Sequence, residues 1–337
     1  MDVLIINHRE VRELLPMADC IAALEQAFVT LAQGDAVQPL RWPLWLPDRS
    51  GLLGMMPGYV GGDIEMMGIK TVSVMPGNHG TAYDSHQGTV MLFEKEHGVL
   101  RAIMDAGEIT AIRTAAASGV ATKLLARPDA SDLAIVGSGV QARSHLAAML
   151  AVRPIGRVRV TSPNQERLHR YVAWAKAEFD VEVEAMADVE AAVSQADIIC
   201  TTTSAREPVL FGNWLAPGTH INAVGSSVPH ARELDTTAVV RSRLYVDWRE
   251  SAVNESGDYL MPLQEGAIEE SHIVGELGEL LLGRVDGRQS AEEITLFDSL
   301  GLAIEDIAAA HLIYSRAIER NVGRSVEIGR RRDREER

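Results

Sequence analysis

The segment DLAIVGSGVQARSHLAAML, residues 132–150, decides the fold. A short apolar run is followed by a G-x-G-x-x-A turn, formed by Gly137, Gly139 and Ala142, and then by a helix-compatible stretch. In this context the first glycine permits a tight turn, the second lets the backbone approach a pyrophosphate, and the alanine allows close helix–strand packing. The helix N-terminus adds N–H donors and a positive dipole end. The segment therefore predicts a dinucleotide site, to which we also assign Ser138, Val140 and Gln141.

Downstream of this segment the chain alternates between short apolar runs and helix-compatible stretches. The apolar runs are LAIVG, VRVT, ADIICTTT, HINAVG and RLYVD. Unbroken apolar strands that alternate with helices are typical of a parallel sheet covered on both faces. We therefore predict an α/β fold with a Rossmann-type doubly wound parallel sheet.

The N-terminal part has a different pattern, which predicts a second, α+β domain. PMADCIAALEQAFVTLAQGD carries apolar residues at helical spacing and places Gly34 where a C-cap belongs. TVMLFE and VLRAIMD, joined by KEHG, predict an antiparallel hairpin. Two further stretches, GEITAIRTAAASGVATKLLARP and SLGLAIEDIAAAHLIYSRAIERN, each predict one long helix, and RRRDREER reads as a charged tail.

Composition excludes several classes of partner. The formal net charge is −15, from 47 acidic and 32 basic residues, which argues against nucleic acid or an anionic membrane surface. An anionic small substrate then needs a locally basic pocket. The two cysteines have neither disulfide-framework nor zinc-ligand spacing. Because MDVLIINHREVREL lacks a secretory apolar core and no later run reaches a membrane span, we expect a cytoplasmic protein without a metal.

The tip of the second strand bears on the choice between NAD and NADP. An NAD site usually carries Asp or Glu there to hold the ribose 2′-OH. This chain has Thr161, Ser162, Pro163 and Asn164 instead, and Arg167 follows. Ser162, Asn164 and Arg167 could contact a 2′-phosphate, but no arginine stands at the tip itself. The sequence leaves NAD versus NADP open.

Several motifs together resemble the ornithine cyclodeaminase and mu-crystallin family. They are MGIKTVSV, SHQGTVMLFE, AIMDAGEITAIRTAAASGVATKLL, VGSGVQA, REPVLFGNW, INAVG, ESGDYL and LFDSLGLAIED, and the likeness runs from about residue 38 to about residue 310. The resemblance implies a Rossmann domain over 118–303, and a substrate-binding and dimerisation domain made of 1–117 and 304–337. It also implies a homodimer, and a substrate held between the domains beside the nicotinamide.

The resemblance carries over a set of site residues where the local motif matches. Lys70, Arg113 and Arg41 correspond to basic residues around the substrate carboxylate, and two guanidinium groups with an ammonium suit an anion. His86 lies near the nicotinamide in the family, and Thr114 matches a cofactor contact. Thr201, Thr203 and Val224 follow strands that should border the cofactor.

The stretch NAVGSSVPH, residues 222–230, separates the branches of this family. Cyclodeaminases carry an acid just past the glycine and a glutamate two residues before the Met-Pro of an earlier strand. This chain has Ser227 and Gly54 there. Because deamination depends on carboxylates that handle an amine or a water, both losses favour the mu-crystallin branch, which reduces cyclic ketimines with a nicotinamide cofactor. We expect Ser227 to orient the imine nitrogen or a water, and Lys70 to tune protonation.

The expected function is therefore an NAD(P)H-dependent reduction of an α-imino acid to the α-amino acid. Cyclic ketimines such as pyrroline-2-carboxylate or piperideine-2-carboxylate are candidates. An acyclic imine such as iminosuccinate is another, since His79, His230 and Arg232 lie in loops that could reach a second carboxylate. The alternatives are an amino-acid dehydrogenase of the alanine dehydrogenase type, a cyclodeaminase-type lyase and a non-catalytic ligand-binding protein.

Overall fold

The computed structural model describes residues 1–78 and 81–329, and its backbone contacts divide the chain into two compact units. Unit 1 combines residues 1–113 with the segment that begins at Leu302, and unit 2 covers 114–301. The sequence placed these boundaries at 117/118 and 303/304. His79 and the charged tail RRRDREER lie outside the described residues.

Unit 1 contains one mixed sheet. Its strands run in the order β16-β1-β7-β6-β5-β4-β2, and β3 pairs with β4; β1 and β7 are parallel, and the other pairs are antiparallel. The strands are β1 (Asp2–Ile6), β2 (Ala36–Val37), β3 (Trp42–Trp45), β4 (Leu52–Val60), β5 (Met66–Val74), β6 (His86–Glu94), β7 (Leu100–Asp105) and β16 (Arg324–Glu327). The helices are α1 (His8–Leu14), α2 (Met17–Ala32) and α11 (Ala303–Arg320); α3 (Ala106–Leu125) begins in this unit and continues into unit 2.

The local predictions for unit 1 are confirmed in most respects. β6 and β7 form the expected antiparallel hairpin, and Gly34 follows α2 with φ +81°. The last long helix differs at its start, because α11 begins at Ala303 and not at Ser299. Residues 299–302 connect it to the preceding strand, and the N–H of Ile304 in its first turn donates to Oε1 of Gln38 at 3.1 Å.

Two glycines let α11 lie close against the sheet. A Cβ on Gly68 of β5 would stand 2.7 Å from Cγ1 of Ile307, and a Cβ on Gly58 of β4 would stand 3.1 Å from Cβ of Ala303. These distances leave no room for a side chain at Gly68. The close approach fixes the height of α11 above β5, which also carries Lys70.

Unit 2 contains one sheet of eight parallel strands, which confirms the predicted Rossmann-type class. The order is β10-β9-β8-β11-β12-β15-β13-β14. Its strands are β8 (Asp132–Val136), β9 (Arg157–Thr161), β10 (Glu182–Ala185), β11 (Ile198–Thr201), β12 (His220–Ala223), β13 (Ser242–Val246), β14 (Ile273–Glu276) and β15 (Ile294–Asp298). Its helices are α4 (Val140–Val152), α5 (Gln165–Glu178), α6 (Val189–Val193), α7 (Thr236–Val240), α8 (Arg249–Glu255), α9 (Gly257–Gln264) and α10 (Leu277–Leu281).

The five apolar runs of the sequence became β8, β9, β11, β12 and β13, whereas three other strands were not singled out. β10 and β14 are short edge strands with Glu in them, so their pattern is weak. The strand order reverses between β8 and β11, and ligands of doubly wound folds bind outside the carboxyl ends of strands at such a point. The glycine turn follows β8 there.

Among the described residues no single helix is long and apolar enough to cross a membrane. α1 and α2 pass that test only as a pair, by length and composition, and they are bent by 80° at their junction.

Substituting Gly68 with Ala tests the close approach of α11. The added Cβ would overpack against Ile307, so we expect the free energy of unfolding to fall by about 1–3 kcal/mol. Gly54→Ala in the neighbouring strand is the matched control, because its nearest contact is an ordinary 3.5 Å to Val72, and a change within about 0.5 kcal/mol is expected. Equal effects in urea unfolding would contradict the packing argument.

Candidate active-site clusters

The glycine turn of unit 2 is tied to three strand ends. Gly137 adopts φ +122°, a conformation that favours glycine, and a Cβ there would stand 2.7 Å from Oγ1 of Thr202 and 2.8 Å from its carbonyl oxygen. The N–H of Gly137 donates to the carbonyl of Thr161 at 2.9 Å, and the N–H of Thr202 donates to the carbonyl of Val136 at 2.9 Å. The ends of β8, β9 and β11 are thus held at the turn.

The helix that follows the turn offers a free approach to its N-terminus. Gly139 is the N-cap of α4, and among the described residues no atom outside its immediate neighbours lies within 4 Å of a Cβ added there. That open space, together with the N–H groups of the first turn, suits a pyrophosphate. Val140 is 66% exposed and Gln141 half-buried, while Ala142 is buried and its carbonyl accepts from the hydroxyl of Tyr171 at 3.1 Å.

The tip of β9 is uncharged, and two of its polar side chains, Ser162 and Asn164, make hydrogen bonds to nearby residues. The hydroxyl of Ser138 donates to that of Ser162 at 2.9 Å, which joins the glycine turn to this tip. Oδ1 of Asn164 accepts from the N–H of Arg167 at 2.9 Å, so Asn164 caps α5, and the Arg167 side chain is exposed. The absence of an acid at this tip leaves the choice between NAD and NADP open.

The loops after β11 and β12 meet at a residue that the sequence reasoning missed. Thr201 is fully buried, and its hydroxyl donates to Oε2 of Glu233 at 2.7 Å. The N–H of Thr203 donates to Oε1 of the same carboxylate at 2.7 Å, and its hydroxyl accepts from the N–H of Ala205. Val224 is held by its N–H, which donates to the carbonyl of Thr201 at 3.1 Å. The threonines expected beside the cofactor therefore organise these loops through Glu233.

The two serines of the segment Gly225-Ser226-Ser227, which we call the GSS stretch, differ in their environment. Ser226 is buried, and its hydroxyl donates to the carbonyl of Ala231 at 2.5 Å, which closes the loop on itself. Ser227 is half-buried. His230 is exposed, and Arg232 is paired with Glu265 at 3.0 Å. The role expected of Ser227 stays a proposal. The ion pair between Arg232 and Glu265 disfavours a contact of Arg232 with a second substrate carboxylate.

Unit 1 brings together Lys70 and Arg113, two of the three basic residues that the sequence singled out. Nζ of Lys70 lies 2.8 Å from Oδ2 of Asp306, and Nε of Arg113 donates to the other oxygen of that carboxylate at 3.0 Å. Nη1 of Arg113 donates to Oε2 of Glu305 at 2.7 Å. Lys70 is 3% exposed and Arg113 is 5% exposed. We call these four side chains the ion cluster; β5, α3 and α11 supply its members.

The ion cluster changes the proton affinity of Lys70. Burial and, to a lesser extent, the charge of Arg113 lower the pKa of this ammonium, the carboxylate of Asp306 opposes the shift, and the resulting pKa is about 8. The charge of Arg41 also lowers this pKa, so Arg41 acts electrostatically on the cluster. Lys70 can therefore give up a proton near neutral pH, which an ordinary lysine does not do.

Glu305 and Asp306 were not assigned a site role from the sequence. They stand in LAIEDIAAA, where two adjacent acids interrupt an apolar helix face. Both are fully buried, and a buried carboxylate needs a charged or hydrogen-bonding partner. This contrast between acid and apolar surroundings is the signal that could have identified them.

The remaining candidates, His86, Gly54 and Thr114, belong to β6, β4 and α3. His86 is exposed at the start of β6, with Oγ of Ser85 3.0 Å from its Nδ1. Gly54 and Val72 are opposite each other in β4 and β5, two positions along from the pair formed by Met56 and Lys70. Since alternate residues share a face, a side chain at position 54 would stand on the face of Lys70, and glycine places no carboxylate there. Thr114 is nearly buried and follows Arg113 in α3, at the first position of unit 2.

The profile of the ornithine cyclodeaminase/mu-crystallin family matches residues 1–321. The chain belongs to this family.

Characterised relatives cover nearly the whole chain. The Δ1-pyrroline-2-carboxylate reductase of Bacillus cereus is 37% identical over 327 residues, which are 97% of this chain and all of that protein. The ketimine reductase mu-crystallin of Mus musculus is 40% identical over 87% of this chain and 90% of its own length.

Solved structures of the family have the same fold. The Δ1-pyrroline-2-carboxylate reductase of Thermococcus litoralis, in complex with NADH and L-proline, superposes with a TM-score of 0.94 at 40% identity, over 96% of this chain and all of that one. An archaeal alanine dehydrogenase dimer with bound NAD gives 0.92 at 33% identity, over 98% and 100%. The iminosuccinate reductase of Paracoccus denitrificans with NAD+ gives 0.90 at 29% identity, over 97% and 100%.

Replacing Asp306 with Asn tests the ion cluster. Removal of one buried charge leaves Lys70 and Arg113 undercompensated, so we expect the free energy of unfolding to fall by about 3–5 kcal/mol. Glu65→Gln is the control, because Glu65 pairs with Lys95 at an exposed site, and a loss of about 0–1 kcal/mol is expected there. A loss for Asp306→Asn no larger than that of the control in chemical denaturation would contradict the cluster.

Proposed function

We propose that this chain is an NAD(P)H-dependent reductase of an α-imino acid, which it converts to the α-amino acid by hydride transfer. The observation that carries the proposal is the buried ion cluster, combined with uncharged residues at positions 54 and 227. Relatives named as pyrroline-2-carboxylate, ketimine and iminosuccinate reductases support it. We also propose a cytoplasmic location, supported by two free, buried cysteines in place of disulfides.

The substrate carboxylate would be bound by the basic residues of unit 1. Arg113 is held in place by Glu305 and Asp306, so little conformational entropy is lost when it binds an anion. Arg41 adds positive charge to the same region, as its effect on the pKa of Lys70 indicates. The ion cluster alone is neutral when Lys70 is protonated, because two basic residues face two acids. Arg41 therefore gives the region a net positive charge, in a chain that is strongly acidic elsewhere.

The cofactor would be held by the glycine turn of unit 2. The space at Gly139 and the N-terminus of α4 fit a pyrophosphate, and the loops after β11 and β12 stand at the strand ends where a nicotinamide belongs. A bound NAD(P)H supplies the hydride, with both electrons, that forms the new C–H bond. We assign Ser138, Val140, Gln141, Ser162, Thr114 and His86 to the surroundings of the cofactor as proposals.

Proton transfer would depend on Lys70 and Ser227. Hydride addition to the imine carbon moves the π electron pair of the C=N bond onto nitrogen. The nitrogen must therefore be protonated before or during this addition. Lys70, with a pKa of about 8, holds a transferable proton near neutral pH, and the hydroxyl of Ser227 orients the nitrogen or a water. Neither step needs the carboxylates that a cyclodeaminase would use, so Gly54 and Ser227 disfavour the lyase alternative.

A second candidate is an amino-acid dehydrogenase, which the archaeal alanine dehydrogenase supports at 33% identity over 98% of this chain. Such an enzyme would reduce the imine that forms from a 2-oxo acid and ammonia with loss of water. In the reverse direction it would oxidise the amino acid to the imine, which water hydrolyses to the 2-oxo acid and ammonia. Among imines, a cyclic substrate is favoured over a dicarboxylic one, because Arg232 is engaged by Glu265. A non-catalytic binding role would need the anion-binding charges, but it would not need a lysine with a pKa of about 8 together with an intact glycine turn.

The experiment that tests the proposal follows NAD(P)H oxidation with NADH and NADPH separately. Substrates are Δ1-pyrroline-2-carboxylate, Δ1-piperideine-2-carboxylate, iminosuccinate, and 2-oxo acids with ammonia. We expect oxidation with a cyclic imino acid and a loss of about 100-fold or more in kcat for Lys70→Met. Ammonia release from ornithine without net cofactor change would instead identify a cyclodeaminase.

The pH dependence is the second readout of this assay. The proton donor must be protonated, so the rate should be retained below the pKa of Lys70 and lost as pH rises through about 8. Because Asp306 raises this pKa, Asp306→Asn should move the falling limb to lower pH. A limb that stays in place in the variant would belong to the substrate imine and not to Lys70.

We propose that the chain forms a homodimer through unit 1. β3 exposes large apolar side chains, with Trp42 70% exposed and both Leu44 and Trp45 exposed beside it. Exposed apolar clusters of this kind mark contact surfaces. An archaeal relative of 33% identity is a dimer, which supports the assignment.

Leu44→Asp tests the dimer. A charge in the exposed β3 patch should shift the protein from dimer to monomer in sedimentation or light scattering. Val253→Asp in α8 is the control, because it places the same charge on another exposed apolar residue and should leave the mass unchanged. A wild-type monomer, or a Leu44→Asp variant that remains dimeric, would contradict this interface.

A further inference from the structure

Glu233 is a fully buried carboxylate that takes no part in the proposed binding of the substrate carboxylate or in the proposed proton transfer. Three groups donate to it: the hydroxyl of Thr201 and the N–H of Gly225 to Oε2, at 2.7 and 2.6 Å, and the N–H of Thr203 to Oε1, at 2.7 Å. Thr201 ends β11, and Gly225 comes two residues after β12 ends. One carboxylate therefore joins the loops that leave two neighbouring strands.

The backbone on both sides of Glu233 is itself fixed. Oδ1 of Asp258 accepts from the N–H of Glu233 at 3.0 Å and from the N–H of Leu234 at 2.8 Å. The carbonyl of Glu233 accepts from the N–H groups of Val209 and Leu210, at 2.7 and 2.9 Å. Because its main chain is held in this way, the carboxylate occupies one place and acts as a rigid anchor for the loops.

Gly225 shows how close this contact is. A Cβ at this position would stand 2.5 Å from Oε1 of Glu233 and 2.1 Å from the carbonyl oxygen of Thr203. Glycine is thus required at position 225 first by the Thr203 carbonyl, which is the closer contact, and also by the Glu233 carboxylate. Ser227 follows two residues later, so the position of its hydroxyl depends on the same anchor.

The hydrogen-bond pattern fits the ionised form of Glu233. Each carboxylate oxygen accepts a backbone N–H, and an ionised carboxylate is an acceptor only. Burial raises the pKa of this carboxyl, while the bonds from Thr201, Thr203 and Gly225 act in the opposite direction. An amide in its place would turn a donor toward one of these N–H groups.

We propose that Glu233 is a positioning residue for hydride transfer, which sets the loops after β11 and β12 so that they hold the nicotinamide and orient Ser227. This proposal rests on the nicotinamide function proposed above. Glu233 acts through Thr203, Gly225 and the Ser227 loop and touches no reacting atom. Its loss should therefore affect the nicotinamide half of the cofactor and spare the adenine half, which the glycine turn binds.

The test uses Glu233→Gln in the full-length protein, with Glu190→Gln as the control, because Glu190 is an exposed acid on α6 of the same unit. Kd is measured for ADP-ribose, NADH and NADPH, and single-turnover hydride transfer to Δ1-pyrroline-2-carboxylate is followed with each reduced cofactor. Thr201→Val is a second variant that removes one of the three donors and keeps the carboxylate, in case Glu233→Gln does not fold.

We expect Glu233→Gln to bind ADP-ribose with a Kd within about twofold of wild type, to bind the reduced cofactor more weakly, and to transfer hydride about 10–100-fold more slowly. Thr201→Val should show a smaller loss of the same kind. Glu190→Gln should behave as wild type. A variant that melts at a lower temperature yet transfers hydride at the wild-type rate would overturn the proposal, and so would a loss of ADP-ribose affinity as large as the loss for NADH.

Failure of the proposed function gives a different result. If the wild type reduces no imine, the comparison of ADP-ribose with NADH still reports on Glu233, because it requires no substrate. A selective loss of NADH binding in Glu233→Gln would then support the positioning role in the absence of reductase activity. Unchanged binding of both ligands would overturn it.

Discussion

The unfavourable free energy of burying a charge without a partner organises both units of this protein. In unit 1, Lys70 and Arg113 are buried only because Asp306 and Glu305 stand against them. In unit 2, Glu233 is buried because two N–H groups and a hydroxyl donate to it. In each case at least part of the compensation comes from an element distant in sequence, so satisfying the charge also fixes the geometry of a candidate site.

Close backbone approach makes these arrangements possible. Gly68 lets α11 lie close against β5, which brings the Asp306 carboxylate in its first turn to Lys70, and Gly225 leaves space for the Thr203 carbonyl and the Glu233 carboxylate. Gly137 does the same for the loop after β11, where a side chain would collide with Thr202. The glycines that matter here are therefore positions where another element occupies the space of a Cβ.

The chemistry follows from which charges are present and which are missing. A lysine with a pKa of about 8 can move a proton near neutral pH, and Arg113, which is held by two acids, is the proposed partner of a substrate carboxylate. Position 54 shares a face with Lys70 and carries no carboxylate, and position 227 carries a hydroxyl. Reduction of a preformed imine needs only a bound anion, a hydride and one proton, and the proposed roles of Arg113 and Lys70 concern the anion and the proton.

The sequence by itself determined the fold class, because the glycine turn and the period of the apolar runs are local features that neighbouring residues encode. It also singled out Lys70, Arg113, Gly54 and Ser227 as candidate site positions, through motifs that resemble a family. Only the tertiary structure decided the partners. Glu305, Asp306 and Glu233 gain their roles from contacts with residues far away in the chain or across a loop. The burial of Thr201 against Glu233 has the same origin. Hydrophobic periodicity carries no information on which acid a buried cation or N–H group will contact.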